Sequence, residues 1–317
     1  MSFFDPAKFT KETIESLKEQ LSGKSIIAAS GGVDSTVAAA LVSKAVGDEL
    51  LAIYVDTGYM RLGESEFVSS MLSELGVNHK VVNASERFYE GLKGVIDPEE
   101  KRKIIGELFI RIFEEESKEY GGKFLVQGTI APDWIESGGG MRDTIKSHHN
   151  VGGLPEDMEM SLCEPIRELY KDEVRSLAEF LDVPVAHRQP FPGPGLAVRV
   201  MDEATPERTE VVRQACHIVE DELELAAKEG KMELPWQYFA VILPVKTVGV
   251  QGDVRAYGNT IAVRAVQSYD AMTAQALELP YTVLKKISER ITRELKSEVN
   301  RVVYDITDKP PGTIEWE

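Results

Sequence analysis

The chain has 317 residues, 43% hydrophobic and 28% charged, enough for a large core and two domains of an ordinary soluble globular protein. Lys and Arg number 36 against 53 Asp and Glu, giving a net charge of −17, and no basic run long enough to track a phosphate backbone is present. That weighs against DNA or RNA as a ligand and leaves small anions open.

In chain order, residues 25–29 read as a short apolar strand and 37–42 as the body of a helix. Between them lie Ser30, Gly31, Gly32, Val33, Asp34, Ser35 and Thr36. Strand, glycine turn and helix start make an anion site, because the first-turn N–H groups lack intrahelical partners and the helix dipole adds partial positive charge. The glycines let backbone amides approach an oxyanion, and the three hydroxyls add donors. Asp34 among phosphates makes sense with a divalent cation between them, so Mg²⁺ at Asp34 is expected. A plain strand–helix turn with an N-cap is the bland alternative. Gly23-Lys24-Ser25 imitates the end of a Walker loop but has Lys18 where the first glycine is required, and it precedes the strand.

Residues 50–55 then predict a fully apolar strand, 64–75 an amphipathic helix and 79–83 a further strand. Asp97, Pro98 and Glu100 form a helix-start signal ahead of Ile104, Ile105, Leu108, Phe109, Ile112 and Phe113 at helical spacing. Residues 124–127 read as another strand. Apolar strands alternating with helices predict an α/β fold with a doubly wound parallel sheet, whose ligands gather beyond the strand C-termini, where Ser30, Asp56 and Gln127 fall. Asp56-Thr57-Gly58 matches an aspartic protease triplet, but no second copy exists to complete a dyad.

Pro190-Phe-Pro-Gly-Pro-Gly195 interrupts the alternation and marks the expected boundary, with domains at 1–189 and 190–317. Beyond it, Thr205-Pro206 opens a long helix, followed by strands at 238–243 and 260–266, helices near 268–277 and over 281–298, and a strand at 301–306. This predicts a smaller α+β domain. Cys163 and Cys216 are too few and too far apart for a metal site or disulfide framework. The first residues carry no basic and apolar targeting pattern, and no run reaches membrane length, so a cytoplasmic protein is expected.

The run Ser30 to Thr36 resembles the pyrophosphate loop of the ATP pyrophosphatase superfamily, whose members cleave ATP between the α and β phosphates and adenylylate a substrate oxygen. Residues 98–106, 127–137, 145–156, 188–195, 244–253 and 301–317 resemble the synthetase part of the GMP synthetase family, in its two-subunit, archaeal type. The resemblance covers nearly the whole chain. It implies GMP synthesis from XMP: ATP adenylylates the C2 oxygen with release of pyrophosphate, and ammonia then displaces AMP. A C–N ligase using ATP, XMP and Mg²⁺ is therefore expected.

Carried over position by position, the resemblance puts Asp34 near Mg²⁺ and the β,γ-phosphates, the Val55 backbone at adenine, and Gly128 close to the nucleotide. Asp133 and Glu136 lie near the sugar, tethering the adenylylated intermediate or orienting attack, with an N-cap and a first-turn carboxylate as the plain alternative. Lys146 resembles a lid lysine that reaches the ATP phosphates on closure. His148-His149-Asn150 is read as lid positioning in preference to a metal site. For XMP the resemblance indicates Arg102, Gln251, Asp253, Arg301, Lys309, Ile314 and Glu315, whose types suit a phosphate, ribose hydroxyls and a xanthine edge. It also implies a homodimer through the second domain. Neither cysteine sits in a glycine-flanked nucleophile turn, so glutamine hydrolysis is expected from a separate amidotransferase subunit that binds transiently when nucleotides are present. Another pyrophosphate-loop ligase, such as an NAD synthetase, and a catalytically inert nucleotide-binding subunit remain the competing readings.

Overall fold

A computed structural model describes residues 4–136, 160–185, 188–251, 253–268 and 271–317. The chain divides into two units: Met1–Thr57, Gly63–Ala84 and Gly106–Arg188 form the first, and Gly58–Leu62, Ser85–Ile105 and Gln189–Glu317 the second.

In the first unit, β1 (Ser25–Ala28), β2 (Leu50–Asp56), β3 (His79–Asn83), β4 (Phe124–Val126) and β5 (Ser161–Cys163) make a parallel sheet in the order β3-β2-β1-β4-β5. The central strands read as unbroken apolar runs because both faces are covered: Ile26, Ile27, Ala52, Ile53 and Tyr54 are all buried. Asp5 caps α1 (Pro6–Gln20), accepting from the N–H groups of Ala7 and Lys8 at 3.1 Å, with Pro6 in the first turn. In α2 (Val33–Val46) the small residues Ala38, Ala39 and Ala40 are fully buried, which lets α1 and the later helix α7 (Lys171–Phe180) approach it closely. Alongside lie α3 (Glu64–Glu74), most of α5 (Pro98–Tyr120) and α6 (Ala131–Glu136), α4 (Ser85–Gly91) belonging to the second unit. The expected capping of α5 is present, with the Glu100 N–H donating to the Asp97 carboxylate at 2.9 Å. The strand order reverses between β1 and β4. Their C-termini deliver residues 30–36 and 127–128 to the crevice where open sheets of this kind hold ligands.

In the second unit, β6 (Gln237–Gln251) and β7 (Val254–Gln267) form a long antiparallel hairpin with an irregularity between Ile242 and Lys246. The two-residue β8 (Gln275–Ala276) pairs antiparallel with β7, and β9 (Val299–Asp305) pairs parallel with it. Helices α8 (Pro206–Lys228) and α9 (Tyr281–Glu294) pack on each other and on the sheet. Thr205 caps α8 through the Arg208 N–H at 3.3 Å, and Pro206 occupies the first turn.

Three expectations need correction here. The strands at 238–243 and 260–266 run on into a ribbon whose outer residues, Val250 and Tyr257 among them, are exposed, so burial does not mark its ends. The helix near 268–277 is not formed in the described residues. The Ser268 hydroxyl accepts from the Ala271 N–H at 2.9 Å and donates to the Thr273 carbonyl at 2.6 Å, closing a local turn that competes with a helix. The helix expected to reach 298 ends at Glu294.

Candidate active site

The first unit builds its site from the end of β1. The Ala29 N–H still pairs with the Ile53 carbonyl at 2.9 Å, after which the chain turns at Ser30. Gly31 has φ +75, and a Cβ there would lie 2.9 Å from Val68 Cγ2 and 3.2 Å from the Glu64 carboxylate, so only glycine fits. Glu64 is itself fixed from behind by a bidentate pair with Arg188 at 2.7 and 2.6 Å. Within the loop the Ser30 and Ser35 hydroxyls meet at 3.0 Å, and Thr36 Oγ1 donates to the Gly32 carbonyl at 2.7 Å. Gly32 is the N-cap of α2 and supplies no side-chain acceptor, so the first-turn amides at Val33 to Ser35 are presented as an oxyanion would need them.

Gly128, just past β4, is pressed against this turn: a Cβ would stand 2.8 Å from both the Asp34 carbonyl carbon and the Ser35 nitrogen. Its missing side chain is what lets β4 approach the loop. Backbone groups along a strand face its two neighbours alternately. Ile53 turns its carbonyl toward β1, and so Val55, two residues on, turns its N–H and carbonyl to the same side, past the point where β1 has ended. That is the geometry needed to read a base edge through backbone.

Asp34 sits in the first turn of α2, with Oδ2 3.4 Å from Lys171 Nζ and Oδ1 buried without a hydrogen-bond partner among the described residues. Burial raises its carboxyl above the ordinary aspartate value; Lys171 and Arg175 act against this, and Asp133 adds to it. An orphaned, buried carboxylate oxygen in an anion-binding loop is a donor suited to a hard cation. No cluster of three or more His, Cys, Asp or Glu able to hold a metal exists among the described residues. A cation here would take Asp34 and complete its shell with phosphate oxygens and water, the usual manner of Mg²⁺. Asp133 Oδ2 accepts from the Ile130 N–H at 3.0 Å, capping the short helix α6, which ends at Glu136. Lys146 and the segment His148-His149-Asn150 lie outside the described residues.

The expected XMP residues fall in the second unit, where most already have partners. Arg102 donates to the Glu317 main-chain oxygen. Gln251 ends β6, and Asp253, with φ +65, is exposed in the hairpin turn. Arg301, exposed on β9, donates to Thr247 Oγ1 at 3.3 Å. Lys309 Nζ donates to the Ala271 carbonyl at 2.8 Å, next to cis bonds at Lys309–Pro310 and Pro310–Pro311. The Ile314 carbonyl accepts from Arg264 Nε at 2.9 Å. Glu315 accepts from Arg199 at 3.0 and 2.8 Å and from Gln237 Nε2 at 2.8 Å.

The sequence reading missed the cations that organise this tail. Arg199, 1% exposed, lies 4.1 Å from the Phe239 ring and 5.2 Å from that of Phe191. Burial alone would lower its pKa, and the Glu315 carboxylate reverses this and holds it above the ordinary arginine value. Arg264, also buried, donates to the Asp305 carboxylate at 2.7 Å and to the Thr307, Thr313 and Ile314 carbonyls at 2.9 Å. Buried Lys101 pairs with the Glu317 side chain and donates to the Val200 carbonyl at 2.8 Å; burial lowers the lysine pKa and raises that of Glu317, each opposed by its partner. A single arginine inside each of the apolar runs 196–200 and 261–266 was the available signal.

Comparison with known proteins bears on both units. Residues 224–316 match the GMP synthase C terminal domain family, and residues 24–104 match the phosphoadenosine phosphosulfate reductase domain family. The chain is 58% identical over 313 residues to one of the separately named subunits of GMP synthase (glutamine-hydrolyzing) from Thermococcus kodakarensis, covering 98% of this chain and 99% of the relative. It is 57% identical to the subunit of the same name from Pyrococcus abyssi, covering 98% and 99%, and 57% identical to that from Pyrococcus horikoshii, covering 99% and 100%. No helix among the described residues is long and apolar enough to cross a membrane. With identity at this level over almost the full length, the chain belongs to this family of GMP synthase (glutamine-hydrolyzing) subunits.

Proposed function

We infer that the chain makes GMP from XMP as a C–N ligase. The xanthine C2 oxygen is a poor leaving group toward ammonia. Attack of that oxygen on the α-phosphorus of ATP expels pyrophosphate and leaves O2-adenylyl-XMP; ammonia then adds at C2, and AMP departs with the oxygen. The observation that carries the reading is the loop at Ser30 to Thr36, whose uncapped amides, clustered hydroxyls and orphaned Asp34 oxygen suit a departing pyrophosphate.

In this reading Ser30, Gly31, Gly32, Val33, Ser35 and Thr36 hold the β,γ-phosphates, the Val55 backbone reads adenine, and Gly128 keeps the nucleotide close to the chain. Asp34 would hold Mg²⁺, which when bound neutralises phosphate charge. Asp133 and Glu136 orient the sugar or the attack, and Lys146 closes over the phosphates. Arg102, Gln251, Asp253, Arg301, Lys309, Ile314 and Glu315 take XMP, with Glu315 already oriented by Arg199. The relatives are each named as one subunit of a glutamine-hydrolyzing enzyme, which supports a separate glutaminase as ammonia source, docking transiently once nucleotides are bound. The chain acts as a homodimer in the cytoplasm.

The test is conversion of XMP to GMP by the purified chain. With ATP, Mg²⁺ and ammonium, GMP and AMP form together; with glutamine as sole nitrogen donor nothing forms until the amidotransferase is added. Turnover on glutamine without that protein overturns the division of labour.

A further inference from the structure

The start of α7 stands next to the pyrophosphate loop, and its first residue is a lysine that neither the motif nor the family comparison singles out. Lys171 Nζ lies 3.4 Å from Asp34 Oδ2, all within the first unit. Arg175 follows at i+4, on the same helix face, and its charge also acts on Asp34. The ammonium is held loosely: the distance is long for a charge-assisted bond, usually about 2.8 Å, and the lysine side chain is 55% exposed.

A loop that receives a polyanion has a charge problem which these cations address. Its amides and hydroxyls offer only partial positive charge, and Asp34 is a full negative charge that repels phosphate oxygens. Lys171 sits where it balances Asp34, with its ammonium beside the first turn of α2. We propose that Lys171, assisted by Arg175, is a phosphate-binding residue of the adenylylation step, exchanging Asp34 for the oxygens of the pyrophosphate leaving group. As the P–O bond to the α-phosphorus breaks, negative charge builds on the β-phosphate, and a side-chain ammonium beside the loop stabilises it more than it stabilises intact ATP. The inference rests on the pyrophosphate-loop reading and adds a residue to it.

The experiment is calorimetric titration of the full chain with inorganic pyrophosphate, in EDTA and again with Mg²⁺. The proteins are wild type, Lys171→Met, Lys171→Arg, Arg175→Gln, Asp34→Asn and the double variant Asp34→Asn with Lys171→Met. Lys171→Met is expected to bind pyrophosphate about tenfold or more weakly, Lys171→Arg to keep most of the affinity, and Arg175→Gln to lose less. Melting curves confirm folding. A lysine that contacts phosphate costs a similar factor in the Asp34→Asn background. Wild-type affinity in Lys171→Met, or no effect of that substitution once Asp34 is replaced, overturns the proposal and leaves Lys171 as a counter-charge for Asp34. If wild type itself fails to bind pyrophosphate under either condition, the loop reading falls, and the lysine assignment with it.

Discussion

The pyrophosphate loop and the C-terminal tail are both assigned to anionic ligands, yet they manage charge in opposite ways. The loop presents first-turn amides with no side-chain cap and one loosely paired carboxylate, Asp34, whose Oδ1 has no partner among the described residues. The tail has its charges matched internally: Arg199 with Glu315, Lys101 with Glu317, and Arg264 with Asp305 and three carbonyls. A site that is left incomplete is stabilised by its ligand; a site that is already wired brings its ligand groups to fixed positions. Removing a charge should therefore act differently in the two units.

The largest effect on stability belongs to the tail. Arg199→Met leaves Glu315 with Gln237 as its remaining side-chain hydrogen-bond partner among the described residues, and breaking such a buried pair costs about 3–5 kcal/mol. Urea unfolding measures it, and a loss below about 1 kcal/mol would show that the pair is not holding the tail.

Asp34→Asn is the mirror case. If Asp34 holds the cation as proposed, activity should fall about 100- to 1,000-fold, read as kcat/KM for ATP. Stability of the nucleotide-free protein should move the other way. Burial raises the Asp34 carboxyl above its ordinary value of 3.8, so the folded chain holds this proton more tightly than the unfolded one. Its contribution to stability is present below that value and is lost as pH rises through the folded pKa. The asparagine variant is thus expected to melt higher than wild type at neutral pH and to converge with it in acid. A lower melting temperature at pH 7 would mean that Asp34 serves the fold.

Two smaller tests sharpen the contrast. Gly128→Ala forces a Cβ to within 2.8 Å of the first turn of α2, which should cost about 1–3 kcal/mol and raise KM for ATP while sparing XMP. Thr205→Ala removes the cap of α8 and should cost about 1 kcal/mol, with neither KM changed, as steady-state kinetics would show.

What could be read from the sequence follows the range over which each feature is encoded. The strand, glycine turn and helix around Asp34 are contiguous within residues 25–46, and the apolar runs that became β1, β2 and β4 carry their burial in their composition. The pairs that fix the tail join residues 116 and 216 positions apart, and nothing local in Arg199 or Lys101 names its partner. Lys171 was missed for the same reason, standing 137 residues from Asp34. The helix expected near 268–277 failed through one hydroxyl, where Ser268 satisfies a turn; the ribbon of β6 and β7 was underestimated because its outer valines face away from the core.

Activation of the XMP C2 oxygen by adenylylation can be followed by isotope transfer. XMP labelled with ¹⁸O at C2 is turned over with ATP, Mg²⁺ and ammonium, and the products are weighed by mass spectrometry. Adenylylation requires one labelled oxygen per turnover in the phosphate of AMP, with unlabelled pyrophosphate and GMP free of the label. Label in inorganic phosphate alongside ADP would mean γ-phosphoryl transfer, and the pyrophosphate role of the loop would be contradicted.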